Sequence, residues 1–339
     1  GTTAAKISGI EIVDLTTSAG SRVLFDAGTL DNMGATTLLV EGNTGNAFEL
    51  RGSGWSYTGP AGAYYTYSDA SGNILEISQA LKRVYTGTNG ADSFEVNDTN
   101  SDGRISADDF ASINGGLGLD SLVVGGQNLI FDLSHLGAGV ISGIERIDLG
   151  TGGTNRLVLD QTSLTNMGIA VSQALTVDGN AGDTFDLKGT WTFLGTSGGY
   201  SRYKDAGNHE VLIENALKRV YDGTTGTNAL VLDDVNGNGV VSWEDFSAVH
   251  GNGVTSTLGV AGNGTTLDLC GLPALDTVIH GVKIIDLGGN GNNTVILDAD
   301  THTGMGLLPA DVLLINGEAG DSFDLRGSWT YSGMTAGRH

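Results

Sequence analysis

The chain reads as mainly β, a series of tandem solenoid-like or sandwich modules. Three observations carry that expectation. Blocks of sequence recur at long intervals. Short runs alternate apolar and polar residues. Glycine is about twice its usual share, with 55 Gly against only 3 Pro in 339 residues.

The repeat sets the frame. "ISGIEIVDL" at Ile7 returns as "ISGIERIDL" at Ile141 and "IHGVKIIDL" at Ile279. "EGNTGNAFELRGSGW" at Glu41 returns as "DGNAGDTFDLKGTW" at Asp178 and "NGEAGDSFDLRGSW" at Asn316, and "ALKRVY" occurs at Ala80 and Ala216. Residues 1–85 read as the back part of a first unit, 86–221 as a complete unit and 222–339 as the front of a third. With units cut at both ends, the chain is expected to be a piece of a longer array.

Within the complete unit, seven segments alternate in the manner of half-buried strands. They are "SFEV" (Ser93), "SLVV" (Ser121), "LIFDL" (Leu129), "IERIDL" (Ile144), "RLVLD" (Arg156), "LTVDG" (Leu175) and "TFDL" (Thr184). Turns such as "GTGGTN" and "GNAGD" supply residues that tolerate positive φ. "YSRYKDAGNHEVLIE" at Tyr200 predicts a hairpin around Asp205–Asn208, as does "YYTYSDASGNILEI" in the first unit. "NALKRVY" fits a short helix or a further strand. Solenoid coils capped by the hairpin fit the irregular spacing better than a sandwich.

Charge narrows the partners. Lys and Arg number 16, Asp and Glu 39, for a formal net charge of −23. Such a surface disfavours nucleic acid and anionic lipid and suits divalent cations. No apolar run approaches the ~20 residues of a membrane-spanning helix. With one cysteine, Cys270, there is no intrachain disulfide, so stability must come from elsewhere.

Two loops offer a source. "DTNSDGRISADDF" at Asp98 and "DVNGNGVVSWEDF" at Asp234 carry Asp or Asn at positions 1, 3 and 5, Gly at 6 and Asp at 12. Calcium takes six to eight oxygens, and a twelve-residue loop supplies them from positions 1, 3, 5, 7, 9 and 12. The first set is Asp98, Asn100, Asp102, the Arg104 carbonyl, Ser106 through a water, and Asp109. The second is Asp234, Asn236, Asn238, the Val240 carbonyl, Ser242 and Asp245. Ile105 and Val241 should point inward. Three carboxylates against two predict tighter binding in the first loop. The serine–aspartate pairs also fit capping positions of a short helix, so each loop reads as strand, calcium loop, short helix.

The second loop resembles the calcium loop of dockerins, although a dockerin holds its two loops close together. "DLSHLGAGVISGIERIDLGTGGTNRLVLDQTSL", followed by "LTVDGNAGDTFDLKGTW" and the Tyr-rich hairpin, looks like a module of giant calcium-dependent bacterial surface proteins, the RTX-type adhesins and related surface-layer proteins exported by type I secretion. The resemblance covers most of each unit. Their G-G-x-G-x-D nonapeptide has only a partial echo in "GGLGLDSL" at Gly115. The resemblance implies an extracellular structural role as adhesin stalk, filament or surface-layer material. Its partners would be neighbouring modules of the same chain and identical chains in a lattice or filament.

Enzyme signatures are missing. HExxH, GxSxG and P-loop patterns do not occur, and the six histidines, His135, His209, His250, His280, His302 and His339, do not recur at matching positions. Cys270 in "LDLCGL" is expected to be a buried small residue. Trp55, Trp191 and Trp329 recur after "LRGSG", "LKGT" and "LRGS", as core residues at strand ends or as sugar-stacking surfaces. The alternative function is carbohydrate or protein recognition by the hairpin tyrosines Tyr64, Tyr65, Tyr67, Tyr200 and Tyr203, which requires them to be exposed and clustered.

Overall fold

The computed structural model describes residues 7–52, 54–224, 227–251, 255–272, 278–288 and 291–333. It is a mainly β chain wound into a β-solenoid of about 11 turns. Contacts divide it into two compact units, residues 1–183 with 205–212, and residues 184–204 with 213–339.

In the first unit the coil strands pair in parallel, each with its counterpart one coil on. One face stacks Ile12–Asp14, Thr37–Glu41 and Ile74–Ser78. A second stacks Arg22–Asp26, Ala47–Arg51, Lys82–Thr86, Phe110–Asn114 and Ile141–Ser142. Two further faces begin within this unit. Ser93–Val96 pairs with Ser121–Val124, then Arg146–Asp148 and Ala174–Asp178. Arg104–Ile105 pairs with Ile130–Asp132 and then Arg156–Leu159. So the second face continues past the boundary at residue 86 while two new ones start beside it.

The second unit repeats the device. Thr184–Leu187, Lys218–Asp222, Phe246–His250 and Ile279–His280 form the continuing face. Thr227–Leu232 and Val240–Val241 open the two new ones.

The strands form where alternation foretold them, because one side of each must face the coil interior. In Ser121–Val124, Leu122 and Val124 are buried between half-buried neighbours. "ALKRVY" ends in a strand in both copies, Lys82–Thr86 and Lys218–Asp222. The first hairpin pairs Tyr64–Ser68 antiparallel with Ile74–Ser78 and adds a further strand, Ser56–Ala61. Its counterpart pairs Thr192–Ser197 with Tyr200–Lys204. Three short helices, Thr29–Met33, Ser163–Asn166 and Thr301–Gly304, sit at matching repeat positions that the alternation pattern did not reveal.

Corners hold the coils in register. A side-chain oxygen of one coil accepts from a backbone N–H of the coil before it, 25 to 28 residues earlier. Asp92 N donates to Asp120, Asp120 N to Glu145, and Asn155 N to Asp183. In the second unit Thr265 N donates to Asn293, and Asn293 N to Asp321. Beside these corners glycines let backbones touch. A Cβ on Gly115 would lie 1.8 Å from the Gly143 carbonyl oxygen, so no larger residue fits.

Candidate metal centre

Each candidate loop lies where faces are exchanged. The first leaves Ser93–Val96, enters Arg104–Ile105 and turns at once into Phe110–Asn114. Asp98 therefore comes just after one new face, Arg104 opens the other, and Asp109 immediately precedes the continuing one. The expected short helix is absent. Ser106 to Asp109 make the capping turn, with Asp109 N bonded to Ser106 O and Asp108 N to Ser106 Oγ. The residues after it form a strand because Lys82–Thr86 offers a parallel ladder. An isolated helix so short would not be stable. The second copy does the same, running into Phe246–His250 along Lys218–Asp222.

The side chains fold inward on the loop's own amides. Asp98 Oδ2 accepts from Gly103 N at 2.9 Å, Asn100 Oδ1 from Asp102 N at 3.0 Å, and Asp102 Oδ1 from Arg104 N at 2.8 Å. Asp109 Oδ1 accepts from Thr99 N at 2.8 Å, and its Oδ2 from Ser106 N at 2.9 Å. In the second loop Asp234 Oδ2 takes Gly239 N at 2.7 Å, Asn238 Oδ1 takes Val240 N at 2.7 Å, and Asp245 Oδ2 takes Ser242 N at 3.0 Å. Asn236 Oδ1 accepts from Asn238 N. Gly103 and Gly239 have φ of +83° and +82°, the left-handed turn that position 6 requires. Ile105 and Val241 are fully buried, anchoring the loops as expected.

Burial leaves the last carboxylate short of countercharge. Asp109 is 5% exposed, and desolvation raises its carboxyl above the ordinary value despite hydrogen bonds from Ser106 and Thr99. Asp245 is raised in the same way. These donors fit a hard cation, which takes carboxylate, carboxamide and carbonyl oxygens together. Among the described residues no three or more His, Cys, Asp or Glu side chains gather closely enough to hold a metal by themselves. The loops depend equally on Asn100, Asn236, Asn238 and the carbonyls of Arg104 and Val240. Ser106 and Ser242 use their hydroxyl oxygens to accept from Asp108 N and Glu244 N.

Lysines brace the loops at equivalent places. Lys82 Nζ donates to Ala107 O at 2.8 Å, and Lys218 Nζ to Trp243 O at 3.3 Å. Lys218 also lies over the ring of Trp243, which is 47% exposed. The residue before the loop differs. Asp233 is buried against Arg219, itself packed over Tyr203 and Tyr221, whereas the first loop has Asn97 there.

The hairpin tyrosines do not form an exposed cluster. Tyr67 and Tyr203 are at most 1% exposed and pack edge-on against Phe48 and Phe185. Tyr65 is buried as well. Tyr64 and Tyr200 are half-buried, and Tyr64 donates its hydroxyl to Glu41 at 2.5 Å. The side chains turn inward because the hairpin covers a coil face. Tyr57 joins them, and burial, with Tyr65 and the loop carboxylates Asp98 and Asp109 adding to it, pushes its hydroxyl up to about 12.

Other expectations resolve individually. Trp191 is buried, Trp55 half-buried and Trp329 exposed. Cys270 is half-buried rather than buried, and desolvation with Asp268 beside it pushes its thiol up to about 11, far from a reactive thiolate. In the "DGNAGD" turn, Asp183 is spent on the amides of Asn155 and Asn180. In "GGLGLDSL", Asp120 bonds Asp92 N. His339 lies outside the described residues.

The comparisons bear on the first loop and on about a third of the chain. A family model described as EF hand matches residues 91–113, the first loop with its flanking strands. The chain is 28% identical over 116 residues to the trimeric autotransporter adhesin AtaA of Acinetobacter sp. (strain Tol 5). That alignment covers 34% of this chain and 3% of the adhesin's length. No solved structure matches. Among the described residues, no helix is long and apolar enough to cross a membrane.

Proposed function

We propose that this chain is a calcium-stabilised, non-enzymatic repeat region of a bacterial cell-surface protein, serving as adhesin stalk, filament or surface-layer material. The observation that carries the proposal is the placement of the loops. An ion held between Asp98, the Arg104 carbonyl and Asp109 would tie the ends of two new faces to the one that continues. The second loop repeats this at Asp234, Val240 and Asp245. Calcium thus acts as a joint pin, and its binding adds to folding because the unfolded chain lacks the site. The EF-hand match and the likeness to an adhesin support this reading. Neighbouring modules of the same chain are the first partners, and identical chains the second.

The test is thermal unfolding monitored by circular dichroism, with millimolar Ca²⁺ and with chelator, on the parent chain and on Asp98→Ala/Asp234→Ala. Free calcium at 100 times the dissociation constant stabilises by about 2.7 kcal/mol per site. The parent should melt several degrees higher with calcium, and the double variant should not respond. An equal melting temperature with calcium and chelator would remove the pin.

A further inference from the structure

The continuing face of the second unit carries a ladder of side chains that the first lacks. Asp222, His250 and His280 stand in register on successive strands. The equivalent rungs of the earlier copy hold Thr86, Asn114 and Ser142. Where one copy has three neutral polar residues, the other has a carboxylate and two imidazoles.

The three groups are in contact. His250 Nδ1 lies 2.5 Å from Asp222 Oδ1. Facing a carboxylate, Nδ1 carries the proton, which leaves the Nε2 lone pair for another partner. A carboxylate placed in this way fixes the tautomer and orientation of a metal-binding imidazole and raises its basicity. The rings of His250 and His280 stack, with centroids 4.4 Å apart and planes 13° from parallel. Neither His250 Nε2 nor a ring nitrogen of His280 meets a hydrogen-bond partner among the described residues. All three side chains are half-buried, so solvent reaches the ladder.

We propose that His250 and His280 bind one divalent transition-metal ion through their Nε2 atoms, with Asp222 as the residue that positions His250 and with water completing the shell. Imidazole suits zinc, copper and nickel, whereas calcium takes oxygen ligands. This site and the two loops therefore select different ions, and the inference does not depend on the loops. Adjacent strands lie about 4.7–4.9 Å apart. Zinc–nitrogen bonds of about 2.0–2.1 Å require the two Nε2 atoms to come within about 4 Å of each other. The His280 ring, held only by the stack, turns toward His250 to meet that distance. The net charge of −23 draws cations to the surface. The ion would also have a mechanical effect. Ile279–His280 is the last rung of this face and only 2 residues long. An ion bridging it to Phe246–His250 fastens a strand that few backbone bonds hold.

The probes are Zn²⁺ and Cu²⁺, added to the full chain in millimolar calcium so that the oxygen loops are already supplied. Competition with a chromophoric zinc indicator reads the affinity. Electron paramagnetic resonance of the Cu²⁺-loaded chain reads the imidazole nitrogens on the metal. One strong equivalent with two coordinated imidazoles is expected. Asp222→Thr, which copies the first unit, should keep both imidazoles and weaken zinc binding about 10–100-fold. His280→Ser, also a copy, should leave one imidazole and weaken zinc at least as much. Zinc should slow amide exchange in Ile279–His280 in the parent and not in His280→Ser. If Asp222→Thr does not fold, His280→Ser, a change on the last rung, carries the test. A parent spectrum with fewer than two imidazoles, or zinc affinity unchanged in the folded variants, overturns the proposal.

Discussion

Asp98 and Asp234 open loops of the same shape with different ligand charge, and the difference should be measurable. Calorimetric titration should resolve two classes of site. Asp98→Ala is expected to remove the tighter one and Asp234→Ala the weaker. Exposed Trp243 belongs to the second loop only. Its emission should report the weaker phase and survive Asp98→Ala. Without calcium, acid should weaken the fold through other carboxylates, because the raised Asp109 and Asp245 favour the native state as they take up protons. Burial raises the carboxyl of Asp160, but hydrogen bonds from His135 N, Thr162 and Ser163 outweigh it and hold the group below its usual value. Asp298 is lowered against burial in the same way. A depressed folded pKa favours the native state above the unfolded value of about 3.9. That contribution is lost as pH falls through the depressed values. Melting temperatures in chelator should therefore drop below about pH 4, and Asp160→Asn should flatten the drop. The shape of the loops was legible, because their spacing calls for a left-handed turn at Gly103 and Gly239 and an inward side chain at Ile105 and Val241, and the structure has both. The alternative function required an exposed tyrosine cluster, and strand periodicity argues against one. Tyr64 and Tyr67 stand three apart, as do Tyr200 and Tyr203, so in a strand each pair points to opposite sides.

At the scale of the element, the corners make the strongest demands. Gly115→Ala would drive a methyl into the Gly143 carbonyl and should cost about 2–3 kcal/mol in urea unfolding. Gly90→Ala is the control. Its nearest neighbour is Thr88 Oγ1 at 3.8 Å, so the change should be neutral or slightly stabilising. Asn293 is 1% exposed, accepts from Thr265 N and donates to Leu287 O. Asn293→Ala should cost about 1–3 kcal/mol by leaving both groups unpaired. Strands were readable from alternation, and all seven segments named in the complete unit are strands. The coil period was not. Its corner residue is Asp at 92, 120 and 183, Asn at 155 and 293, and Glu at 145. Any side chain whose oxygen reaches the neighbouring amide will serve, so the sequence carries no fixed letter. The short helix after each loop failed for a related reason. Ser106 and Asp109 cap a turn that can lead into either helix or strand. Phe110–Asn114 becomes a strand because Lys82–Thr86 lies beside it with a free edge.

Across the molecule, the same exchange of faces occurs twice, and each time a loop of calcium type sits on it. Hydrogen exchange should show this directly. Calcium should slow the amides of Phe110–Asn114 more than those of Ala174–Asp178, three ladder steps from Ser93–Val96, and those of Phe246–His250 more than those of Leu314–Asn316, three steps from Thr227–Leu232. Equal slowing everywhere would mean that the ion stabilises the fold generally and not at the junction. The long repeat put a loop of calcium type at matching positions of two units, while the continuing face was hidden. Its strands, Lys82–Thr86 and Phe110–Asn114, lie on either side of a unit boundary drawn from sequence similarity. The corner bonds, finally, all point one way. Each coil's amide waits for an oxygen carried by the next coil along. Removing the coil before merely returns a carboxylate or carboxamide to water. Removing the coil after returns a backbone amide to water, so the bond is lost equally from either end. The polarity lies in what each coil must carry: any coil can be followed, since its amide needs no particular side chain, but a coil can follow only if it brings the oxygen.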